Sequence, residues 1–410
     1  MAERGAFGRG LLLLATVLVA ANLRVAVASV PPLLLDIRHA FGLSLVAASL
    51  LTSAPLLCFG LLAPLGAVVA RRYGVGRAIG MSVAALLAGL VLRLGPDVAT
   101  LFLGTVVAAA GMAVANVLLP ALVKEAFAAR LGLATGLYTT AMGLASALAA
   151  GVSAPLATLS TLGWRLGLGV WALPCAAALA VWLWAGRRRA ATAAATARVA
   201  SAPPWRRAVA DPVAQRLTLF MGLQSVGYYA ILSWLPALFE SHGLSPTQGG
   251  LLLSVQGTVG IPLGFALPAV VQRLRDARPL VGAVSTLTLI GLAGLALAPM
   301  AAPLLWAAVV GLGQGATFPL ALTLIGMRAR HPEETAVLST SVQSGGYVLA
   351  TAGPLALALL RQATGGWTVP FAALAALTVV QVAAGLAAGK EGYAFEAAPP
   401  LHVPAAGGSG

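Results

Sequence analysis

The sequence predicts an all-α integral membrane protein whose twelve transmembrane helices form two pseudo-symmetric six-helix halves. Three observations lead to this fold class. Hydrophobic residues make up 60% of the 410 residues and charged residues only 9%, whereas a soluble domain carries roughly 25% charged residues. Apolar segments of about 20 residues, long enough to cross a bilayer, recur along the whole chain. Several short motifs of the first half are also repeated in the second half.

The predicted spans are helices, because backbone polar groups inside lipid must be hydrogen-bonded within their own segment. The apolar run after MAERGAFGRG is long enough to span, and no small-residue cleavage site follows a short apolar core. We therefore interpret it as a retained first helix and not as a signal peptide. The predicted spans are residues 11–35, 44–70, 78–94, 98–123, 131–158, 165–186, 213–239, 247–271, 279–298, 302–326, 335–360 and 367–388.

The positions of lysine and arginine residues predict how the protein is oriented in the membrane. With the N-terminus inside, most of these residues fall in cytoplasmic loops, as the positive-inside rule requires. An even number of spans then places both termini in the cytoplasm. The net charge is +14. The charged residues lie between apolar segments and form no single patch, so this charge does not indicate nucleic-acid binding. We expect a monomeric, multi-pass protein of the cell (inner) membrane, in contact with membrane lipids.

The two halves of the chain resemble each other. The motif GLS at 42–44 recurs at 243–245, and SLLTS at 49–53 recurs as GLLLS at 250–254. Four prolines repeat in the same register, namely Pro120 and Pro155 with Pro319 and Pro354. Two homologous halves in parallel orientation are typical of secondary transporters whose substrate site lies near the midplane between the halves.

The repeat predicts the domain organisation. The loop RRRAATAAATARVASAPPWRRAVADP is the longest internal loop and divides the chain. The expected domains are an N-terminal half at 1–186, a cytoplasmic central loop at 187–212, a C-terminal half at 213–388 and a disordered cytoplasmic tail at 389–410.

Several stretches point to a known family. They are NLRVAVASVPPLL at 22–34, PLLCFGLLAPLG…ARRYG at 55–74, NVLLPALVKEAF at 116–127, GLATGLYTT at 132–140, GLGQGATFPLALTLIG at 311–326 and SVQSGGYVLATAGPL at 341–355. On these stretches the chain resembles the cyanate permease and 2-nitroimidazole transporter branch of the major facilitator superfamily. One departure concerns the Gly-x-x-x-Asp-Arg-x-Gly loop of the superfamily after span 2, where this chain has Ala70 in place of the aspartate.

The resemblance implies that spans 1, 2, 4, 5, 7, 8, 10 and 11 face a central cavity, and most amides and tyrosines of the chain lie on these spans. Gln224 with Tyr228, and Gln343 with Tyr347, are spaced i,i+4 and so share a helix face. The candidate substrate-binding residues are Asn22, Arg24, Asn116, Tyr138, Gln224, Tyr228, Gln314, Gln343 and Tyr347. Two alternatives stay open, since amides also join membrane helices to each other and tyrosines also anchor helix ends at the membrane interface.

Arg24 lies in the middle of span 1, yet none of the 11 acidic residues falls in the middle of a span. The four histidines lie in loops or in the tail. A buried cation without a counter-ion is destabilising. We therefore expect Arg24 to line a water-filled cavity, where an anionic substrate supplies the missing charge and a planar carboxylate-like group is held by two hydrogen bonds. The alternative is a structural guanidinium that bonds to backbone carbonyls and amides.

These observations predict a secondary active or facilitative transporter that works by rocker-switch alternating access. One fixed positive charge favours a monovalent anion, such as a cyanate-like ion or a small monocarboxylate, and the family resemblance adds a nitroimidazole-like planar solute. Proton-driven carriers generally use an acid or histidine inside the membrane. Its absence from the spans leaves uniport, exchange, or proton cotransport by the substrate itself.

Other functions find less support in the sequence. A broad-specificity exporter of lipophilic cations would favour an acid in its cavity, and a membrane sensor without transport would normally carry a soluble output domain. The chain has no phosphate-binding G-x-x-x-x-G-K-[ST] loop, no nucleophile–base set in the membrane and no metal-ligand cluster. Neither enzymatic activity nor a cofactor or metal is expected.

Overall fold

The computed structural model describes residues 2–127, 131–189, 205–271, 274, 276–330, 332–390 and 392–395, all of which are helical or irregular. Its helices are α1 (Ala2–Ala28), a 3-10 turn (Pro31–Leu33), α2 (Leu34–Phe41), α3 (Leu45–Tyr73), α4 (Val75–Leu92), α5 (Val98–Ala126), α6 (Leu131–Ala157), α7 (Trp164–Gly169), α8 (Ala172–Arg189), α9 (Trp205–Ala210), α10 (Pro212–Glu240), α11 (Pro246–Val259), α12 (Ile261–Val271), α13 (Arg278–Leu297), α14 (Pro303–Met327), α15 (Pro332–Ala350), α16 (Ala352–Thr364) and α17 (Thr368–Gly389).

In the described part of the chain, 11 segments are long and apolar enough to cross a membrane. Helix α10, with 29 residues, is the twelfth segment of sufficient length. Its middle carries Gln224, Tyr228 and Tyr229, and these polar side chains lower its hydropathy. The predicted all-helical membrane fold is confirmed.

Four of the predicted spans are interrupted and not continuous. The breaks fall between α1 and α2, α7 and α8, α11 and α12, and α15 and α16. A proline lies within the first three residues after each break, namely Pro31, Pro174, Pro262 and Pro354. Proline has no backbone N–H and its ring clashes with the preceding turn, so the preceding helix ends there.

The two halves repeat one packing scheme. Helix α1 packs against α6 in the first half, as α10 packs against α15 in the second. Helix α4 likewise packs against α5, as α13 does against α14. The repeat seen in the sequence is therefore a repeat of helix contacts.

The repeated GLS motif forms the same turn twice. Gly42 and Gly243 have φ values of 62° and 94°, in the left-handed region that glycine adopts without a steric penalty. The following serines cap the next helices, because Ser44 Oγ accepts from the Ala47 amide at 3.0 Å and Ser245 Oγ accepts from the Gln248 amide at 3.3 Å. A glycine that ends one helix, followed by a serine that starts the next, explains why both halves keep this motif.

In the described residues, the buried apolar core joins the two halves on one side of the molecule. We call the side on which α1 begins and α17 ends the terminal side, and the other the distal side. One core cluster combines the N-terminal half with distal residues of the C-terminal half such as Leu235, Val310 and Phe371. A second cluster, with Leu217 and Leu324, belongs to the terminal side of the C-terminal half. The 3-10 turn also packs against α10 and α11 at the distal side, so the halves are closed there.

Part of the predicted tail contacts the preceding helices. The amide of Ala394 donates to the Arg328 carbonyl at 2.8 Å, and the amide of Phe395 donates to Asp211 Oδ2 at 2.8 Å. Ala394 is buried. We call Gly392–Phe395 the C-terminal strap. Residues 396–410 and most of the central loop, 190–204, lie outside the described residues, so the predicted domain boundaries and the predicted disorder of the tail stay predictions.

Candidate substrate-binding site

Arg24 lies four residues before the end of α1 and is half-buried. Its side chain reaches from the N-terminal to the C-terminal half, where Nη1 donates a hydrogen bond to the Tyr229 hydroxyl on α10 at 2.8 Å. Tyr229 itself is buried, with 3% of its surface exposed. The guanidinium thus lies at the interface between the halves and joins α1 to α10 through this hydrogen bond.

Aromatic rings surround this guanidinium. Its central carbon lies 5.9 Å from the ring centre of Tyr229 and 5.8 Å from that of Phe318 on α14, within the range of cation–π attraction. Tyr228 and Tyr347 pack edge-on against Tyr229, with ring centres at 5.1 and 6.3 Å. Phe59 on α3 packs against Tyr347 at 5.5 Å. Helices of both halves therefore build one aromatic enclosure around a single cation, which we call the Arg24 site.

The sequence places no acidic counter-ion at the depth of Arg24, and the structure adds a partner of another kind, the Tyr229 hydroxyl of the other half. This partner is a neutral hydroxyl. In the described part of the chain, the ionisable groups that interact with Arg24 are Tyr228, Tyr229 and Tyr347, all of which are uncharged near neutral pH. The positive charge therefore stays uncompensated by any described acidic group.

The predicted tyrosines divide between two places. Tyr228 and Tyr347 belong to the Arg24 site. Tyr138 lies on α6 and is buried, with 8% of its surface exposed, and Asn116 lies on α5 and is half-buried. The role of these last two residues in binding stays a prediction.

The predicted amides are engaged with the protein. Gln314 Oε1 accepts a hydrogen bond from Gln256 Nε2 at 3.0 Å, which joins α14 to α11. Gln224 Nε2 donates to Ser225 Oγ at 2.6 Å and to the Met221 carbonyl at 3.1 Å. This arrangement corresponds to the alternative in which amides hold helices and turns together.

Two further amides have similar partners. Gln343 Nε2 donates to Ser339 Oγ at 2.8 Å on its own helix. Asn22 Nδ2 donates to the Leu18 carbonyl at 2.8 Å and to the Pro174 carbonyl on α8 at 3.4 Å. Asn22 and Arg24 are two residues apart, about 200° around the helix, so Asn22 points towards α8 while Arg24 points towards α10.

The candidate residues predicted from the sequence include Tyr228 but not its neighbour Tyr229. Adjacent residues on a helix point about 100° apart, and only the docking of α10 against α1 decides which one meets Arg24. The pair of tyrosines in the middle of an otherwise apolar span was the available signal.

Arg93 is a further residue near this site that is absent from the candidates predicted from the sequence. It is buried, with 1% of its surface exposed, at the distal end of α4. Its guanidinium donates to the Ala26 carbonyl at 2.8 Å, and to the Leu168 carbonyl and Ser29 Oγ at 3.3 Å each. Arg93 thus ties the end of α1 to α4 and α7, next to the turn of helix that carries Arg24.

Comparison with known proteins agrees with this architecture. The profile of the Major Facilitator Superfamily matches residues 12–354. The chain is 38% identical to the uncharacterized transporter YycB of Bacillus subtilis (strain 168), over 93% of this chain and 94% of that protein. It is 36% identical to the 2-nitroimidazole transporter of Escherichia coli (strain K12), over 93% and 96% of the two chains. It is 32% identical to the cyanate transport protein CynX of the same organism, over 88% and 92%.

Solved structures show the same fold at low sequence identity. A bacterial homolog of the human lysosomal transporter Spinster, in an inward-facing and unoccupied conformation, matches with a TM-score of 0.76 at 15% identity, over 93% of this chain and 97% of that one. The family profile covers most of the chain, and relatives above 30% identity cover nearly all of it. This chain therefore belongs to the major facilitator superfamily, in the branch of the 2-nitroimidazole and cyanate transporters.

Proposed function

We propose that this protein carries a small monovalent anion across the cell membrane by rocker-switch alternating access, and that the Arg24 site binds the anion. The observation that carries the proposal is the half-buried Arg24 guanidinium at the interface between the halves, whose described neighbours are all neutral. A site with one fixed positive charge and no fixed acid attracts a monovalent anion more strongly than a neutral or cationic solute.

The chemistry of the surrounding groups limits the substrate. A guanidinium presents five N–H donors in a planar fork, which suits a planar or linear anion such as a carboxylate or a cyanate-like ion. The rings of Tyr228, Tyr229, Tyr347 and Phe318 leave an apolar wall on the other sides. Such a wall favours a small solute with little hydration over a sugar or a polyanion. The name of the cyanate relative supports this substrate class.

We further propose that the terminal side is cytoplasmic, with both termini inside the cell. The distribution of lysine and arginine supports this orientation. The halves are closed at the distal side, so the described conformation then faces inward. The matching Spinster homolog in an inward-facing conformation supports the same assignment.

A second candidate substrate is a planar heterocycle of the nitroimidazole kind. The aromatic enclosure supports it, because stacked or edge-on rings bind a flat aromatic solute, and the 36% identity to the 2-nitroimidazole transporter adds to this. In that case Arg24 would donate hydrogen bonds to the nitro oxygens.

The test is uptake into proteoliposomes of cyanate, nitrite, acetate and 2-nitroimidazole by the wild type, Arg24→Ala and Arg24→Lys. We expect Arg24→Ala to abolish anion uptake and Arg24→Lys to reduce it at least tenfold, because lysine lacks the planar fork. Arg361→Ala is the matched control, since Arg361 contacts Trp367, the residue that precedes α17 at the distal side, outside the Arg24 site. Full anion uptake by Arg24→Ala would overturn the proposal, and uptake of 2-nitroimidazole alone would favour the second candidate.

A further inference from the structure

We propose that the Tyr229 hydroxyl takes the place of the substrate on Arg24 when the transporter is empty, and so allows the empty transporter to change its conformation. This inference rests on the proposed function, since it assumes that Arg24 binds the transported anion. It assigns Tyr229 a role that differs from that of the other rings in the site.

The partner of Arg24 in the structure belongs to the opposite half of the protein. Arg24 Nη1 donates at 2.8 Å to the Tyr229 hydroxyl, and the Tyr347 hydroxyl also interacts with the guanidinium. A hydroxyl oxygen accepts a hydrogen bond from a guanidinium, as a substrate oxygen would, but it carries no net charge. Tyr229 therefore satisfies one N–H group of Arg24 without neutralising the cation, and a true anion can still displace it.

The Tyr229 side chain is held in place by its neighbours. Its ring is buried and packs edge-on against Tyr228 and Tyr347. These contacts hold the hydroxyl at the position where it meets Arg24 Nη1. An anion oxygen cannot occupy the same position, so the anion and the Tyr229 hydroxyl compete for one donor.

The bond between Tyr229 and Arg24 affects the return step of the transport cycle. In net transport the carrier returns empty, and the guanidinium must cross the occluded state without a substrate. A buried cation that has lost its hydrogen-bond partner is strongly destabilised. Tyr229 provides that partner. In exchange the carrier returns loaded, so the Tyr229 hydroxyl is not required.

The experiment compares net uptake with exchange in proteoliposomes, using labelled cyanate, nitrite or acetate, whichever the wild type transports fastest. Net uptake is measured into empty liposomes, and exchange into liposomes preloaded with the unlabelled anion. We expect Tyr229→Phe to reduce net uptake about tenfold while exchange stays within about twofold of the wild type. We also expect Tyr229→Phe to bind the anion several-fold more tightly in detergent, because the internal competitor is gone.

Tyr228→Phe is the matched control. Tyr228 precedes Tyr229 on the same helix and loses the same atom, but its ring packs against Tyr229 and the Arg24 bond goes to its neighbour. The ratio of net uptake to exchange should therefore keep its wild-type value in Tyr228→Phe, whatever happens to the two rates. Thermal unfolding of the purified variants shows whether a lower rate reflects a folding defect.

The outcomes separate this inference from the proposed function. If Arg24→Ala abolishes uptake while Tyr229→Phe keeps the wild-type ratio and affinity, the inference is wrong and the proposed function stands. If net uptake and exchange fall together in Tyr229→Phe, the bond is only a structural link between the halves, and the inference is also wrong. Unchanged anion uptake by Arg24→Ala, or the absence of anion uptake by the wild type, would overturn both.

Discussion

Arg93 Nη1 donates a 2.8 Å hydrogen bond to the carbonyl of Ala26, which lies two residues beyond Arg24 on the same helix. The carbonyl groups at the end of a helix have no partner within the helix, and they form the negative end of its dipole. A buried guanidinium that donates to this end stabilises it without an acidic partner. The position of α1, and with it the position of Arg24, therefore depends on Arg93, which directly follows α4.

The first prediction concerns this bond. Arg93→Met removes the donor for the Ala26 and Leu168 carbonyls and for Ser29 Oγ, and each buried acceptor left without a partner costs about 1–3 kcal/mol. Part of this is offset because a buried cation is also removed, and Arg93 Nε has no partner in the described structure. We expect a lower unfolding temperature in detergent and a raised KM for anion uptake.

Arg165→Met is the control for this prediction. Arg165 lies at the same distal end but is half-buried, with one hydrogen bond of 3.3 Å to the Leu94 carbonyl. Its replacement should lower the unfolding temperature less than Arg93→Met does. Equal losses in the two variants would show that Arg93 has no special role in the position of α1.

The second prediction tests whether the buried amides join helices or bind substrate. Gln256→Leu leaves Gln314 Oε1 without its donor inside the protein, while Gln256→Leu combined with Gln314→Leu removes both partners. We expect the single variant to be less stable than the wild type by about 1 kcal/mol, and the double variant to recover most of that loss.

Thermal unfolding of the wild type, the two single variants and the double variant measures the coupling energy between Gln256 and Gln314. If the double variant recovers stability but no longer binds cyanate, these glutamines contact the substrate, and the structural role is the lesser one.

The third prediction concerns the contact between the halves at the distal side. A Cβ atom added at Gly250 on α11 would lie 2.6 Å from the Ala150 carbonyl on α6, a distance at which backbone must shift. Gly250→Val should therefore prevent distal closure and reduce uptake at least tenfold. Gly282→Val, at a helical glycine with open space around it, should transport like the wild type, and a similar loss in both variants would contradict the predicted closure.

The fourth prediction concerns the C-terminal strap. Asp211 accepts from the amides of Val213 and Ala214 at the start of α10, and also from the Phe395 amide of the strap. Arg330 lies over the Tyr393 ring at 4.6 Å. We expect deletion of residues 391–410 to lower the unfolding temperature by several degrees, and deletion of residues 397–410 to leave it unchanged. Two deletions with the same unfolding temperature would show that the strap adds no stability.

The fold was largely predictable, because its signals are local. The length of an apolar run determines whether it can span the bilayer, and the GLS motifs carry the glycine and the capping serine that each turn needs. The breaks at Pro31, Pro174, Pro262 and Pro354 were harder to foresee, since proline in a membrane helix produces either a bend or a break. The choice depends on which neighbouring helix satisfies the freed backbone groups.

The candidate site was predictable only in part. Arg24 stood out from the sequence because a charge in an apolar span is rare and expensive to bury. The sequence alone thus determined the membrane fold, the repeat of two halves and the presence of one unmatched cation near the midplane. The partner of Arg24 at Tyr229, the orientation of Asn22 towards α8 and the burial of Arg93 were decided by the tertiary structure. These features depend on the rotation and docking of helices against one another, which arise from contacts between residues far apart in the chain.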